Sequence, residues 1–125
     1  MDTTTLPGFV CIEDNTVVGV ILYDVCNAEC EIVALISYKE NRGIGADLIR
    51  SVVNVARAEM CTRVWLITTN DNTHAIRYYQ KRGFILKCVY INAIEAARKL
   101  KPEIPLQGND GIAILHEFEF ELKVG

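Results

Sequence analysis

The chain contains 125 residues with a mass of 14.0 kDa, which suits one domain and leaves no room for two of ordinary size. Half of the residues are hydrophobic and 23% are charged, a composition that excludes intrinsic disorder. The formal net charge of -3 argues against a nucleic-acid partner, because a dedicated nucleic-acid binder needs excess positive charge to neutralise phosphates.

The sequence carries no pattern of membrane insertion or secretion. No apolar run approaches the roughly 18 residues that a membrane-spanning helix needs, and Met1–Pro7 lacks the basic and apolar stretches of a signal peptide. The cysteines are odd in number and form no Cys-x-x-Cys pair; they are Cys11, Cys26, Cys30, Cys61 and Cys88. We therefore expect a cytoplasmic protein with reduced thiols, no membrane contact and no metal site.

The first third of the chain has the pattern of three strands. Gly8–Glu13, the β-branched run Thr16–Val25 and the apolar run Glu29–Ser37 are separated by short polar turns. The apolar residues of the third run do not alternate after Glu31, which is typical of a strand covered on both faces. We expect these three strands to form an antiparallel meander.

The hydrophobic period then lengthens to between three and four residues. Over Gly43–Met60 the apolar side chains fall on one face, which predicts an amphipathic helix. The short apolar run Arg63–Thr69 predicts a strand, and Asn70–Thr73 supplies capping side chains for a helix that ends at Gly83. The strand, helix and strand in the middle of the chain predict a right-handed parallel crossover.

The last third of the chain predicts a strand, a helix, a loop and a strand. They cover, in that order, Phe84–Ile91, Asn92–Leu100, Lys101–Gly111 and Ile112–Leu122. The final strand alternates, with His116 among the apolar residues of one face and three glutamates on the other. The element order β-β-β-α-β-α-β-α-β predicts an α+β fold, in which residues 1–125 form one domain with a mixed sheet and helices on both faces.

The segment between the third strand and the long helix carries Gly43 and Gly45. Glycines allow a positive φ and a close approach of the backbone to a ligand, and the N–H groups that begin a helix favour phosphate. A tight turn needs glycines as well, so this segment alone supports a phosphate site and a plain turn equally. It lacks the Gly-Lys-Ser/Thr of a nucleoside-triphosphate loop and the third glycine of a dinucleotide fingerprint.

A second cluster shifts the balance toward the phosphate site. Asn72–Phe84 carries Asn, Ala, Tyr and Gly-Phe at offsets of zero, three, seven, eleven and twelve. Together with the turn Glu40–Ala46, this pattern resembles the GNAT superfamily, the acyl-CoA-dependent N-acyltransferases. That family has Gln/Arg-x-x-Gly-x-Gly/Ala after its fourth strand and Asn-x-x-Ala-x-x-x-Tyr-x-x-x-Gly-Phe after its fifth. The resemblance covers residues 8–91 well and the last strand more loosely, and it implies a GNAT-like fold.

The resemblance implies acetyl-CoA as the cosubstrate. The backbone N–H groups of Arg42–Ala46 would hold the pyrophosphate, and the neighbouring strand ends would hold the pantetheine arm. The cofactor-binding residues implied in this way are Leu35, Ile36, Ser37, Arg42, Gly43, Ile44, Gly45, Ala46, Asn70, Asn72 and Tyr79. For Asn72 the alternative to a contact with the cofactor arm is a plain helix N-cap.

The resemblance also implies direct transfer of the acetyl group to a primary amine of a small molecule or peptide in a ternary complex. Tyr79 stands where the family has the tyrosine that protonates the leaving thiolate, although its place on an apolar stripe also fits a core aromatic. Glu31, a carboxylate within a buried strand, is the first candidate for the base that deprotonates the amine. Glu29, His116 and water are the alternatives.

Two features depart from the family pattern. Glu40 stands where the family has Gln or Arg, and we expect it to point to solvent while Arg42 supplies positive charge. The family begins with a strand and two helices ahead of the position of Gly8, where this chain has seven residues. We expect either a shortened chain or a partner subunit that completes the acceptor wall, and a homodimer formed at an open sheet edge. The alternative function is a catalytically weak acyl-CoA-binding module.

Overall fold

The computed structural model describes residues 5–39 and 42–125. The chain divides into two compact units. The first consists of the described residues up to Trp65 together with Lys123–Gly125, and the second consists of Leu66–Leu122. The strand Arg63–Thr69 begins in the first unit and ends in the second.

The first unit begins with an antiparallel meander. Its strands are β1 (Gly8–Glu13), β2 (Thr16–Cys26) and β3 (Glu29–Ser37), each paired with the next. Asp14 and Asn15 connect β1 to β2 and have φ values of 48° and 63°. A two-residue turn with positive φ matches the right-handed twist of the strands that it joins. The predicted meander is confirmed, and β2 is one residue longer than expected.

Helix α1 (Ile44–Ala58) packs its apolar face on the meander. Val52 and Ala56 are completely buried along this face. Gly19 of β2 lies beneath the start of the helix, where an added β-carbon would come within 2.6 Å of Ile44 Cγ2. Glycine therefore allows α1 to lie close to the sheet, a contact that the hydrophobic pattern does not reveal.

Strand β3 carries a bulge where it pairs with β2. The ladder passes from the pair Leu22–Ala34 directly to the pair Tyr23–Ile32. Val33 lies between these pairs and has no partner among them. A bulge bends its strand and changes the direction of the side chains beyond it, so the end of β3 is directed differently from its beginning.

A parallel ladder joins β3 to β4 (Arg63–Thr69) over three residue pairs, of which the last is Glu31 with Trp65. Helix α1 connects these two strands, so the predicted parallel crossover is present. Beyond Glu31, the described ladder partner of β3 is β2.

The second unit holds the rest of β4 and the elements that follow it. These are helix α2 (Thr73–Lys81), β5 (Ile85–Tyr90), helix α3 (Ala93–Leu100) and β6 (Glu117–Lys123), whose last residue belongs to the first unit. Strands β5 and β6 pair antiparallel. The strand order is β1-β2-β3-β4-β6-β5, which confirms a mixed sheet of six strands accompanied by three helices.

The last strand is shorter than predicted. The alternation predicts a strand over Ile112–Leu122, but β6 begins only at Glu117. The N–H groups of Leu115 and His116 donate instead to the side-chain oxygen of Asn70, each at 2.9 Å. A distant side chain therefore takes hydrogen bonds that a strand would use, and local alternation cannot reveal such an acceptor.

The alternation of β6 is also misleading about burial. An acidic face opposite an apolar face is typical of a strand with one side in water. Glu119 and Glu121 are nevertheless only 7% and 4% exposed, and Phe120 between them is 1% exposed. The hydroxyl of Tyr90 donates to Glu119 Oε1 at 2.6 Å. Both faces of β6 are therefore covered, and a hydrogen bond offsets part of the cost of burying Glu119.

Candidate active site

Helix α1 begins at a left-handed glycine. Gly43 is the N-cap with a φ of 72°, and no described side chain caps the helix. A β-carbon at Gly43 would meet no described atom within 4 Å, so the backbone angle rather than space requires glycine here. Asp47 N donates to Gly43 O at 3.0 Å. The N–H groups of Ile44–Ala46 precede this bond and form the positive end of the helix, which suits a phosphate.

The cationic side chains of Lys39 and Arg42, which precede Gly43 in the chain, both contact the carboxylate of Glu13. Lys39 Nζ lies 3.2 Å from Glu13 Oε1, and Arg42 Nη2 lies 3.1 Å from both carboxylate oxygens of Glu13. Glu13 is the last residue of β1. The turn therefore has positive charge beside it. Glu40, which we expected to point to solvent, lies outside the described residues.

The end of β3 leads directly into this turn. Leu35 is half-buried, whereas Ile36 and Ser37 are exposed. Ser37 Oγ donates to the carbonyl oxygen of Lys39 at 2.9 Å, which fixes the path of the chain toward the turn. The predicted contact of Leu35, Ile36 and Ser37 with the cofactor arm stays a prediction.

A pocket of about 160 Å³ lies where β2, β3 and the start of β4 meet. Its lining residues are Asp24, Cys26, Asn27, Glu29, Glu31 and Trp65. Because side chains alternate along a strand, Glu29 and Glu31 lie on the face opposite to that of the fully buried Cys30. Three of the lining side chains are carboxylates and none is a cation, so the pocket favours a positively charged ligand.

The two glutamates of the pocket differ in their partners. Glu29 Oε2 accepts from Arg63 Nε at 2.9 Å, and the Arg63 guanidinium lies 5.1 Å from the centre of the Trp65 ring. Burial and, after it, the charge of Asp24 raise the pKa of Glu31. A carboxylate with a raised pKa is the better proton acceptor. The surroundings therefore favour Glu31 over Glu29 for the role of base.

His116, the other protein side chain considered as base, has its acceptor nitrogen occupied. Its Nδ1 accepts from the N–H of Asn92 at 2.8 Å. A neutral imidazole has one nitrogen with a free lone pair, and this hydrogen bond uses it. The contact makes His116 a structural group that holds the start of α3 and argues against its use as the base.

Tyr79 is buried on the inner side of α2. Its side chain is 8% exposed, and its ring meets the ring of Phe84 edge-on at a centroid distance of 5.4 Å. Burial and, after it, Tyr78 raise the pKa of the Tyr79 hydroxyl, while Arg82 partly offsets them. The phenol therefore stays protonated at neutral pH, as a proton donor must. The same packing fits the alternative reading of Tyr79 as a core aromatic.

Asn72 is the N-cap of α2. Its Oδ1 accepts from the N–H of Ala75 at 3.2 Å, so the capping role considered for this residue is present. The cap uses the oxygen of the amide. A contact of Asn72 with a cofactor would therefore use the side-chain amide nitrogen, and this contact stays a prediction.

Asn70 holds the segment that precedes β6. Its Nδ2 donates to the carbonyl of Ala113 at 2.9 Å, and its Oδ1 accepts the N–H groups of Leu115 and His116. Its own N–H donates to the carbonyl of His116 at 3.0 Å. The side chain is thus used within the protein. A contact of Asn70 with the cofactor would fall to its main-chain carbonyl and stays a prediction.

Asp71 is a structural residue that the sequence reading missed. It is 5% exposed and accepts from the Thr69 hydroxyl and from Asn109, whose N–H and side-chain nitrogen lie at 3.1 and 3.0 Å. Burial acts to raise the pKa of Asp71, but these hydrogen bonds outweigh it and lower the pKa. A β-carbon at Gly108 would collide with this carboxylate. The available signal was the acid at the end of a strand and a distant glycine-rich turn.

The family model described as "Acetyltransferase (GNAT) family" matches residues 2–84, which is more than half of the chain. The chain belongs to the GNAT acetyltransferase family. Uncharacterized protein YdhI of Bacillus subtilis (strain 168), a relative in sequence, is 46% identical over 116 residues. These residues are 92% of this chain and 72% of YdhI.

Acetyltransferases of known structure share the fold. One from Elizabethkingia anophelis, solved with acetyl-CoA bound, gives a TM-score of 0.81 at 19% identity over 96% of this chain and 77% of its own. A Bacillus subtilis acetyltransferase, solved in complex with CoA, gives 0.76 at 18% identity over 91% of this chain and 74% of its own. At such identities the likeness concerns the fold alone, and it confirms the predicted GNAT-like fold.

Within residues 5–39 and 42–125 of this GNAT family member, no helix is long and apolar enough to cross a membrane. The same part contains no group of three or more His, Cys, Asp or Glu side chains placed to hold a metal ion. All five cysteines are free. Burial and, after it, the neighbouring Cys61 thiol raise the pKa of Cys30 to about 12, with smaller contributions from Glu59 and Asp24, and Cys30 is therefore an unreactive thiol.

Proposed function

We propose that this GNAT family member transfers an acetyl group from acetyl-CoA to a primary amine of a small molecule or a peptide. The observation that carries the proposal is the left-handed Gly43 at the start of α1, with uncapped N–H groups after it and two cations beside it. This arrangement suits a pyrophosphate. Membership of the family supports the same ligand, as do the two solved relatives that contain acetyl-CoA and CoA.

The cofactor follows the end of β3 in this proposal. The backbone N–H groups of Arg42–Ala46 hold the pyrophosphate, and the Arg42 guanidinium adds positive charge. The segment Leu35–Ser37 supplies main-chain groups to the pantetheine arm, because the described β4 ladder of β3 ends before it. The amide nitrogen of Asn72 and the carbonyl of Asn70 are the further contacts that we assign to the cofactor.

Glu31 begins the chemistry by accepting a proton. A primary amine with a pKa near that of lysine, about 10.4, arrives as an ammonium ion, and it must lose a proton before its nitrogen can attack. The acidic pocket around Glu31 attracts this cation. The neutral nitrogen then attacks the thioester carbonyl carbon, and a C–N bond forms.

Tyr79 acts when the C–S bond breaks. The departing sulfur takes the hydrogen bond, and then the proton, of the Tyr79 hydroxyl, so that CoA leaves as a thiol. Because a thiol has a pKa of about 8.5, below the raised pKa of Tyr79, proton transfer alone is uphill. The main contribution of Tyr79 is therefore a hydrogen bond to the developing thiolate. The attacking nitrogen loses its second proton to solvent as the amide forms. Solvent also returns a proton to Tyr79 and removes one from Glu31, so the reaction releases one amide, one CoA thiol and one proton.

We also propose that the protein is a cytoplasmic homodimer. Strand β1 is at the edge of the sheet, and its Val10 and Ile12 side chains are 55% and 59% exposed. An edge strand offers unpaired N–H and C=O groups, and exposed apolar side chains favour association through them. Free cysteines fit a reducing compartment.

A catalytically weak acyl-CoA-binding module is the second candidate. The observation that favours it is the size of the acidic pocket, about 160 Å³, which is smaller than the roughly 300–1,000 Å³ of pockets that enclose a small ligand. A partner subunit that covered the pocket would complete the acceptor site. Such a module would bind acetyl-CoA and leave amines unmodified in isolation.

Thiol release from acetyl-CoA, measured with a panel of primary amines and amine-bearing peptides, separates these candidates. The enzyme releases one CoA thiol for each acetylated amine, and mass spectrometry identifies the product. Binding of acetyl-CoA without transfer to any amine would favour the module. Neither binding nor transfer would contradict both candidates.

A further inference from the structure

A single carboxylate holds both cations beside the start of α1. Glu13 Oε1 accepts from Lys39 Nζ at 3.2 Å and from Arg42 Nη2 at 3.1 Å, and Glu13 Oε2 accepts from the same Arg42 nitrogen at 3.1 Å. Lys39 and Arg42 precede the helix, whereas Glu13 ends β1, far away in sequence. The two cationic groups therefore converge on one anion beside the turn to which the proposed function assigns a phosphate.

These ion pairs are exposed and weak. The side chain of Glu13 is 29% exposed, that of Lys39 46% and that of Arg42 52%. Ion pairs of this kind contribute little stability, because water screens them and long side chains lose freedom when they form. A pyrophosphate carries more negative charge than a carboxylate and has more acceptor oxygens for charge-assisted hydrogen bonds. It can therefore displace Glu13 from both cations at little cost.

We infer that Glu13 is an exchangeable counter-ion of the phosphate site. It neutralises Lys39 and Arg42 in the free protein and releases them to a phosphate group of CoA when the cofactor binds. This inference rests on the proposed function and adds Lys39 to the residues that contact the cofactor. It also makes Glu13 a residue that sets phosphate affinity, because its negative charge competes with the ligand.

The neighbouring acid provides a matched control. Asp14 follows Glu13 directly, carries the same charge and is exposed, and its described contacts include neither Lys39 nor Arg42. Glu13→Gln and Asp14→Asn thus remove the same charge from adjacent positions. Only the first removes the negative charge that the two cations share.

Calorimetric titration of CoA into the wild-type chain, Glu13→Gln and Asp14→Asn tests the inference. We expect Glu13→Gln to bind CoA about three- to tenfold more tightly than wild type at low salt, and Asp14→Asn to bind it like wild type. The gain disappears near 1 M salt, where the screening length is only about 3 Å. Pantetheine, which lacks the phosphates of CoA, binds all three proteins equally. Lys39→Gln weakens CoA binding in an otherwise wild-type chain.

Thermal unfolding confirms that each variant is folded, and the outcomes remain distinct. If the wild type binds CoA and Glu13→Gln binds it with equal or lower affinity, the inference is overturned and the proposed function is unaffected. Unchanged affinity in Lys39→Gln also overturns the inference. Failure of both wild type and Glu13→Gln to bind CoA overturns the proposed function together with the inference.

Discussion

At the level of single side chains, burial is the main reason that Glu31 and Tyr79 are protonated more readily than isolated groups of their kind. For Glu31 the causes are burial and the nearby Asp24, and for Tyr79 the main cause is burial beside aromatic rings. A raised pKa makes a carboxylate a stronger base and makes a phenol a weaker acid. Proton acceptance by Glu31 is thereby helped, while Tyr79 contributes chiefly by hydrogen bonding.

Tyr79→Phe should lower kcat about 100-fold or more, with little change in the Kd of acetyl-CoA, because a lost proton donor affects the transition state more than the bound cofactor. Steady-state kinetics and calorimetry measure the two quantities. Tyr78→Phe is the matched control, because it removes the hydroxyl of the neighbouring tyrosine. The Tyr78 ring lies beneath the Arg82 guanidinium, and this substitution should leave kcat unchanged. Wild-type turnover in Tyr79→Phe would make Tyr79 a core aromatic.

Asp24→Asn should shift the acidic limb of the kcat/KM profile to lower pH. Glu31 must be deprotonated to act as base, so activity rises as pH passes through its pKa. Burial still raises that pKa in the variant, but the repulsion from Asp24 is gone and the pKa falls. A pH–rate profile measures the shift, with Asp14→Asn as a control of equal charge outside the pocket. A limb that stays in place would remove Glu31 from the role of base.

At the level of elements, the left-handed glycine at the start of α1 allows an effect on ligand binding to be distinguished from an effect on stability. Gly43 and Gly111 have φ values of 72° and 70°, and an added β-carbon meets no described atom within 4 Å at either position. Alanine at each position should therefore cost a similar amount of stability, about 1–2 kcal/mol. Only Gly43→Ala disturbs the N–H groups that we assign to the pyrophosphate.

Gly43→Ala should weaken CoA binding about tenfold or more, because misdirected N–H groups lose their hydrogen bonds to the phosphates. Calorimetry gives the Kd, and thermal unfolding confirms that the two variants are equally destabilised. Gly111→Ala should bind CoA like wild type. Equal affinities of the two variants would show that the turn at Gly43 is structural only.

Sequence periodicity was sufficient for most elements, because β1 to β4, α1 and α2 each carry a local pattern and recognisable turn or cap residues. It was insufficient for β6, where the side chain of Asn70 takes the N–H groups of Leu115 and His116. Burial of Glu119 was hidden for the same reason, since its partner Tyr90 lies on another strand. Interactions between distant residues leave no trace in local alternation.

The sequence predicts the part of the candidate site in which a motif determines the backbone angles. It does not predict which residues form ion pairs and hydrogen bonds with each other. Gly43 adopts the positive φ that its place before a helix suggests. The sequence did not show that Arg42 and Lys39 share Glu13, that Glu29 is paired with Arg63, or that His116 accepts from Asn92. Each of these pairs joins residues that are far apart in the sequence.

At the level of the whole molecule, the exposed β1 edge makes dimerisation testable. Sedimentation at micromolar concentration should give twice the 14.0 kDa of a single chain. Val10→Lys with Ile12→Lys should yield monomers, because charges at an edge strand prevent edge-to-edge pairing. Met60→Lys is a control at another exposed apolar side chain, 85% exposed. A wild-type chain that sediments as a monomer would contradict the dimer.

Calorimetric titration of acetyl-CoA into the wild-type chain tests the central claim most directly. We predict one acetyl-CoA bound per chain, with an affinity that falls as salt increases, because the contacts with the phosphates are electrostatic. Absence of binding at low salt by a folded chain would contradict the assignment of the α1 start as a cofactor site.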